Sequence, residues 1–161
     1  MDQTTGSAAP ADASARELII ADIRKQQNLM LAVAGGLGTA IAAAIGWAVI
    51  TVVTQMELGI VAIAVGYAVG RVIRELGKGI DPVFGYIGAA LALFGCVLGN
   101  FLSAVGFYAQ SQHIEFGQAF ASLDAGMAQR LMEAFFSPMD LIFYGIAIYE
   151  GYRFSFKYRA H

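Results

Sequence analysis

The stretch "NLMLAVAGGLGTAIAAAIGWAVITVV", residues 28–53, decides the fold, because it contains no charged side chain. A helix that crosses a bilayer needs about 20 mainly apolar residues, and this run is longer than that. The whole sequence has the same character, with 58% hydrophobic and 14% charged residues. Ordinary soluble domains carry roughly 25% charged residues. The sequence therefore predicts an all-α integral membrane protein.

Three further apolar runs extend this to a prediction of four transmembrane helices, arranged as two hairpins. The third run is also uncharged, whereas the second and the fourth are shorter and end in charged residues. Only "TQME", residues 54–57, separates the first two runs, so their helices must form an antiparallel hairpin. The predicted membrane domain covers residues 28–160, with spans at about 28–53, 58–76, 82–109 and 139–158.

The two hairpins show a weak internal similarity. The stretch "MELGIVAIAVGY", residues 56–67, resembles "MDLIFYGIAIYEGY", residues 139–152, in its Met-acid-Leu start and in its Gly-Tyr near the end. A duplication would make the hairpins a parallel repeat, as in some transporter halves. Chance similarity between apolar sequences explains the same match, so both interpretations stay open.

Two polar segments lie outside the predicted spans. Residues 1–27 form a predicted cytoplasmic N-terminal segment, disordered through "MDQTTGSAAPADASA" and amphipathic from Ser14 onwards. Residues 112–136 place apolar side chains at spacings of 4, 3, 4 and 4. This periodicity predicts an amphipathic helix, lying along the outer interface or over the bundle. Its apolar positions are Phe116, Phe120, Leu123, Met127 and Leu131.

The basic residues predict the orientation. Nine of the ten Lys and Arg residues lie in the N-terminal segment, around the link between spans two and three, or at the end of span four. Arg130 is the exception. Because cytoplasmic loops carry the excess of Lys and Arg, both termini are predicted to be cytoplasmic.

Two helix starts are marked by capping residues. Asp81 precedes Pro82, and Ser137 precedes Pro138. A side-chain oxygen directly before a proline is typical of a helix N-terminus.

Two GxxxG motifs lie in apolar runs. They are formed by Gly66 with Gly70 and by Gly95 with Gly99. Without a Cβ, helices approach closely and gain dispersion contacts. We expect these glycines to line helix contacts, either within one bundle or between the subunits of a homo-oligomer.

Polar residues within the spans are candidate intramembrane sites. Glu150 follows nine apolar residues, 141–149. A charge in the bilayer costs at least about 2.5–3.5 kcal/mol, so Glu150 is expected to be paired, protonated or hydrated. Its predicted partner in a structural ion pair is Arg153 or Arg71, and a proton- or cation-handling role is the alternative. Asn100 is expected to hydrogen-bond across helices rather than to bind an ion.

The predicted cytoplasmic loop, "GRVIRELGKGIDP", is a candidate contact site. Arg74, Lys78 and Asp81 are its candidate residues. They would bind lipid headgroups, a phosphate or a partner protein. Charge that only sets the topology is the alternative.

The sequence argues against an enzyme. His113 and His161 lie on opposite predicted sides of the membrane, so they cannot share a site. No HExxH or GxSxG motif occurs, and Cys96 is the one cysteine. The net charge of −2 gives no reason to expect nucleic-acid binding. We expect no cofactor and no metal site.

Two motif-bearing stretches resemble a group of uncharacterised bacterial four-span membrane domains. They are "GKGIDPVFGYIGAALALFGCVLGN" and "SPMDLIFYGIAIYEGYRFSF". Members of that group share a GKGxD loop, a GCxLGN ending of the third span and a closing helix of the form SPxDLxFYGIAxYEGYxFS. The resemblance covers roughly residues 26–157. It implies four spans in a bacterial inner (plasma) membrane, and it implies no activity.

These observations favour a non-enzymatic membrane component. We expect an oligomeric scaffold or accessory subunit that contacts the lipid bilayer, further copies of itself and a partner membrane protein. The alternative is a small-solute or ion transporter or channel formed by a homo-oligomer around Glu150, Arg71 and Asn100.

Overall fold

The computed structural model describes residues 9–56 and 59–156. Within these ranges the chain forms seven α-helices and no β-strand, so the all-α prediction is confirmed. The helices are α1 (Ala9–Lys25), α2 (Leu29–Thr54), α3 (Val61–Gly77), α4 (Pro82–Gln112), α5 (Phe116–Ala121), α6 (Ala125–Phe135) and α7 (Pro138–Phe154).

Helices α2 and α4 are the two clear candidates for membrane spans. They contain 26 and 31 residues without a charged side chain, and both are long and apolar enough to cross a membrane. Helix α2 begins where the Asn28 side chain accepts a hydrogen bond from the backbone N–H of Leu31, at 2.9 Å. Helix α4 begins at Pro82 and ends at Gln112, and the next residue, His113, adopts a left-handed conformation.

Helices α3 and α7 are shorter than the predicted second and fourth spans. Each has 17 residues, and α3 begins at Val61 rather than at residue 58. Both contain charged residues, and neither passes as a span by itself. Helices α6 and α7 would qualify together, but a bend of 92° separates them. Two spans, or up to three with this bent pair, are therefore evident from length and composition. Residues 157 and 158, the end of the predicted fourth span, lie outside the described residues.

The predicted amphipathic helix of residues 112–136 is divided in two. Helix α5 ends at Ala121, and α6 starts at Ala125. The break occurs because the Asp124 side chain accepts a hydrogen bond from the N–H of Met127, at 2.7 Å, and so caps a new helix. Both helices pack on α4, with Phe101 against Phe120 and Phe107 stacked on Phe135.

Helix α1 precedes the bundle. It begins at Ala9, earlier than the amphipathic stretch predicted from Ser14, so the predicted disorder does not extend over residues 9–15. Residues 1–8 lie outside the described residues. The side chains of Leu18, Ile19 and Ile20 are exposed.

Glycine contacts give the directions of the four bundle helices. Gly35 of α2 faces Leu76 of α3, and Gly88 of α4 faces Gly151 of α7, so each of these pairs is antiparallel. Gly95 of α4 faces Ala40 of α2 and Gly106 faces Val52, so these two helices are parallel. Gly66 of α3 faces Ala147 of α7 and Gly70 faces Phe154, so α3 and α7 are also parallel.

The bundle has two distinct ends. We call the end at which α2 stops at Thr54 and α3 starts at Val61 the hairpin end. We call the opposite end, marked by Arg24, Arg74 and Lys78, the basic end. Helices α3 and α4 pack across the centre, whereas in the described part of the chain α2 and α7 do not pack against each other. The core consists mainly of small and β-branched residues, among them Ala32, Ala40, Ala62, Val65, Val69, Ile73, Cys96 and Ala147.

Candidate functional site

A cavity of about 230 Å³ opens at the hairpin end, between α2, α4 and α7. It lies between the two helices that do not pack together, α2 and α7. Its walls combine aromatic rings with polar side chains, which distinguishes it from the apolar core. The lining residues are Trp47, Thr51, Gly59, Asn100, Ser103, Phe135, Ser137, Met139, Asp140 and Phe143.

Asn100 joins α4 to α7 at the wall of this cavity. Its Nδ2 atom donates to the hydroxyl of Tyr144 at 2.8 Å and to Oδ2 of Asp140 at 3.4 Å. The structure therefore has the cross-helix hydrogen bond that the sequence predicts for Asn100. The carboxylate of Asp140, the second acceptor of this amide, is one of the groups that line the cavity.

Asp140 also takes part in the cap of α7. The hydroxyl of Ser137 accepts from the N–H of Met139 at 3.3 Å, and Oδ2 of Asp140 accepts from the N–H of Ser137 at 2.8 Å. This reciprocal pair is a capping box, in agreement with the helix start predicted at Ser137. Both hydrogen bonds to Asp140 reach Oδ2, and within the described residues none reaches Oδ1. No described basic residue forms an ion pair with this carboxylate.

Thr51 is the second notable polar group in the wall. It is 1% exposed, and its Oγ1 has no hydrogen-bond partner among the described residues. Ser103, which is 3% exposed, differs because its hydroxyl donates to the carbonyl of Gly99 at 2.8 Å. An unsatisfied buried hydroxyl lowers the free energy of unfolding by about 1–3 kcal/mol, so the Thr51 hydroxyl is expected to destabilise the folded protein.

The structure does not bring Glu150 together with either predicted arginine. Arg71 instead lies 3.7 Å from Glu75, one turn along α3. Arg153 donates to the hydroxyl of Tyr149 at 3.4 Å and lies over the Tyr149 ring. Glu150 is half-buried, and among the described residues it forms no ion pair.

The four GxxxG glycines line contacts within the chain. A Cβ on Gly66 would collide with the backbone of Ala147, and one on Gly70 would lie 2.8 Å from Cβ of Phe154. Gly95 faces Val65 and Ala40, and Gly99 faces Trp47. The positions are therefore used for packing inside one bundle, which is the first of the two predicted uses.

At the basic end, Asp81 is tied to the segment before α2. Its side chain makes no capping bond to α4, unlike the prediction, although Pro82 is the first helical residue. Instead the carboxylate pairs with Arg24 at 3.0 Å and accepts from Nε2 of Gln27 at 2.9 Å. The side-chain Oε1 of Gln27 in turn accepts from the N–H of Ile80 at 3.1 Å. The carboxylate is thus already engaged within the chain.

The other two candidate loop residues do not join this cluster. Lys78 is exposed and has a positive φ of 49°, and its N–H donates to the carbonyl of Arg74 at 3.1 Å to end α3. Arg74 is half-buried, and in the described part of the chain it forms no ion pair. Arg74 and Lys78 therefore remain candidates for contact with lipid headgroups.

Sequence reasoning missed the cavity residues Thr51, Trp47 and Asp140. The sequence indicated only a capping role for Asp140, because the capping pattern at the start of the helix already accounts for an acidic residue there. A signal was present on α2, since Trp47 and Thr51 stand four residues apart and so share one face. Nothing in the sequence shows that this face and Asp140 lie at one cavity, because α2 and α7 are far apart in the chain.

Comparison with known proteins adds no relative: no family model, no curated protein and no solved structure matches the chain. The resemblance to the four-span bacterial domains stays a prediction.

Proposed function

We propose that this chain is a four-span membrane protein that binds a small polar solute in the cavity at the hairpin end. The observation that carries the proposal is the buried, unpartnered hydroxyl of Thr51 in a wall that also holds a carboxylate, Asp140. An unsatisfied buried polar group in a native protein requires an explanation, and a role in function is one of those found. A bound solute would supply the missing hydrogen bond.

The packing supports four spans. Helices α3 and α7 lie along α2 and α4 in alternating directions, as in a membrane bundle. With 17 residues each, they measure about 26 Å at 1.5 Å per residue. This is close to the roughly 30 Å of the hydrocarbon core, and modest thinning of the bilayer covers the difference.

The basic residues support the orientation. Apart from Arg130 on α6, the described basic residues lie on α1 or toward the basic ends of α3 and α7. The positive-inside rule then predicts that the basic end and both termini are cytoplasmic. The cavity then opens on the outer side of a bacterial inner membrane, the location implied by the family resemblance. The sequence interpretation nearest to this proposal is a small-solute or ion transporter formed by a homo-oligomer around Glu150, Arg71 and Asn100. Of these three residues, Asn100 lines the cavity.

Access of polar solutes to the cavity can be measured through Trp47. It is the one tryptophan of the chain, and it is 3% exposed. In lipid nanodiscs we expect acrylamide, a small polar quencher, to quench Trp47 fluorescence by way of the cavity. Ser103→Leu should fill the cavity and reduce quenching, whereas Ser111→Leu, at an exposed site outside the cavity, should not. Equal quenching in both variants would contradict the proposal.

A second candidate function, an oligomeric scaffold or accessory subunit, has its own support. Gly38 and Gly46 of α2 face open space, and the exposed Ala34 and Ala42 lie on the same face one turn apart. Small residues at this spacing allow close helix contact in lipid. If α2 joins subunits, Gly38→Ile with Gly46→Ile should reduce the native mass to that of a monomer. An unchanged native mass would remove this candidate.

A further inference from the structure

We propose that the cavity at the hairpin end selects a small organic cation, an alkylammonium group with N–H donors. This inference rests on the proposed solute-binding function and names the class of solute. It is drawn from the charge, the hydrogen-bonding groups, the aromatic rings and the volume of the site.

The charge of the site is negative. Asp140 is the one ionisable side chain among the described residues that line the cavity. It stands in the first turn of α7, next to the positive end of the helix dipole. Its two hydrogen-bond donors, the N–H of Ser137 and the amide of Asn100, are neutral. The carboxylate thus has neighbours that orient it and no described basic residue that neutralises it, so a cationic ligand would supply the missing charge.

The free oxygen atoms match a donor-rich ligand. Within the described residues, Oδ1 of Asp140 accepts no hydrogen bond and Oγ1 of Thr51 has no partner. A primary ammonium group carries three N–H donors, as in a lysine side chain. It would pair with the carboxylate and donate to the Thr51 hydroxyl, which satisfies both groups. An anion would meet the carboxylate with no basic residue in the described wall to offset the repulsion.

The rings of the wall favour an organic cation over a hydrated metal ion. Trp47, Phe135 and Phe143 line the cavity beside the carboxylate. Aromatic faces attract cations within about 6 Å, and recognition of ammonium ligands uses this effect. The rings also provide an apolar surface for the alkyl part of the ligand.

The volume limits the size of the solute. About 230 Å³ is smaller than the roughly 300–1,000 Å³ of sites for drug-sized ligands. The site therefore suits a short amine rather than a lipid or a peptide.

Binding can be measured by titrating ethylammonium chloride into the protein in nanodiscs made of lipids without net charge. We expect a saturable change in Trp47 fluorescence. Acetamide, a neutral molecule of similar size, and sodium chloride at equal ionic strength should give no saturable change. Asp140→Asn keeps an acceptor oxygen for the cap of α7 but removes the charge, and it should weaken ethylammonium binding about tenfold or more. The matched control Glu133→Gln removes a carboxylate outside the cavity and should leave binding unchanged.

The outcomes separate this inference from the function on which it rests. Saturable binding of acetamide that Asp140→Asn does not weaken would overturn the cation inference and leave solute binding intact. A response to sodium equal to that to ethylammonium would also overturn it, in favour of an inorganic ion. The absence of saturable binding for all three probes would contradict both proposals. If Asp140→Asn fails to fold, Thr51→Val replaces it as the test variant. Ethylammonium binding to Thr51→Val as tight as to the wild-type protein would contradict the inference.

Discussion

Thr51 differs from the other helical hydroxyl residues of this protein. In a helix, a Ser or Thr hydroxyl commonly donates to the carbonyl four residues earlier. Thr39 does so to Gly35 at 2.8 Å, Thr54 to Ile50 at 2.7 Å, and Ser103 to Gly99 at 2.8 Å. Thr51 is more deeply buried than Thr39 or Thr54, yet its hydroxyl makes no such bond. The local backbone therefore does not satisfy it, although the residue lines the cavity.

Thr51→Val tests this difference through stability. Because the hydroxyl has no partner, its removal should leave the ligand-free protein as stable as before or more stable by about 1 kcal/mol. Thr39→Val, which removes a satisfied hydroxyl, is the matched control and should not stabilise the protein. The measurement is thermal unfolding in the same detergent. A clear loss of stability in Thr51→Val alone would show that the hydroxyl has a structural partner.

The ion pair predicted for Glu150 shows that the sequence does not determine which side chains pair. The depth of Glu150 along its helix follows from the sequence, but the choice of partner depends on side-chain geometry. Arg71 lies near Glu75 and Arg153 near Tyr149, each four residues away on its own helix. Neighbours at this spacing need no tertiary contact, so they compete effectively with a partner on another helix. Asn100 was easier to interpret, because a lone amide in an apolar run needs a partner across the helix interface.

At the scale of helices, the glycine pattern was informative about packing but not about which helices pack. Gly66 and Gly70 bring α3 against α7, and Gly95 and Gly99 bring α4 against α3 and α2. The same residue type on α2, at Gly38 and Gly46, faces open space. A sequence shows the spacing of small residues, whereas the side of a helix that meets a neighbour is fixed by the whole bundle.

Gly66→Ala and Gly38→Ala should therefore have opposite effects. At Gly66 the new methyl group would meet the backbone of Ala147, which cannot move without separating α3 from α7. We expect a loss of about 1–3 kcal/mol, the usual cost of overpacking. At Gly38 nothing lies within 4 Å of the added Cβ, and alanine favours the helix, so stability should stay equal or rise. Unfolding of both variants in one detergent measures the difference, and equal destabilisation would contradict this packing.

Helix boundaries were predicted best where a run was uncharged. The ends of α2 lie within a residue of the predicted span, because Asn28 caps one end and the apolar run stops at the other. The break between α5 and α6 was missed because Leu123 and Met127 continue the apolar spacing across it. Asp124 was the signal for a new helix, because aspartate is a preferred N-cap residue whose side chain accepts from the N–H three residues later.

At the scale of the whole molecule, the two hairpins point in the same direction. Helix α4 runs parallel to α2, and α7 runs parallel to α3. This is the arrangement that a duplicated hairpin would give, so the weak sequence repeat and the directions of the helices agree. The number of spans does not follow from the sequence as clearly, because α3 and α7 are held by packing more than by their own hydropathy.

The proposed topology predicts which residues are reachable from outside the cell. Cysteines at Ser111 and Ser122, near the hairpin end, should react with an impermeant thiol reagent in intact cells, and one at Glu75 should not. Glu75 is exposed, whereas the neighbouring Gly77 is buried against Ala32 and Phe84 and is a poorer site for the probe. The wild-type protein is the control, because Cys96 is buried. Labelling at position 75 in intact cells would contradict both the four spans and the cytoplasmic termini.

The contact between α3 and α7 affects the order in which the protein can be completed during synthesis. Gly66 leaves the ribosome long before Ala147, the residue on which it packs. Until then α3, with Arg71, Arg74 and Glu75 in its second half, can pack only against α2 and later α4. In the proposed four-span topology, insertion of the first hairpin and its final folding are therefore expected to be separate events. The second event waits for a short helix that is translated some 80 residues later.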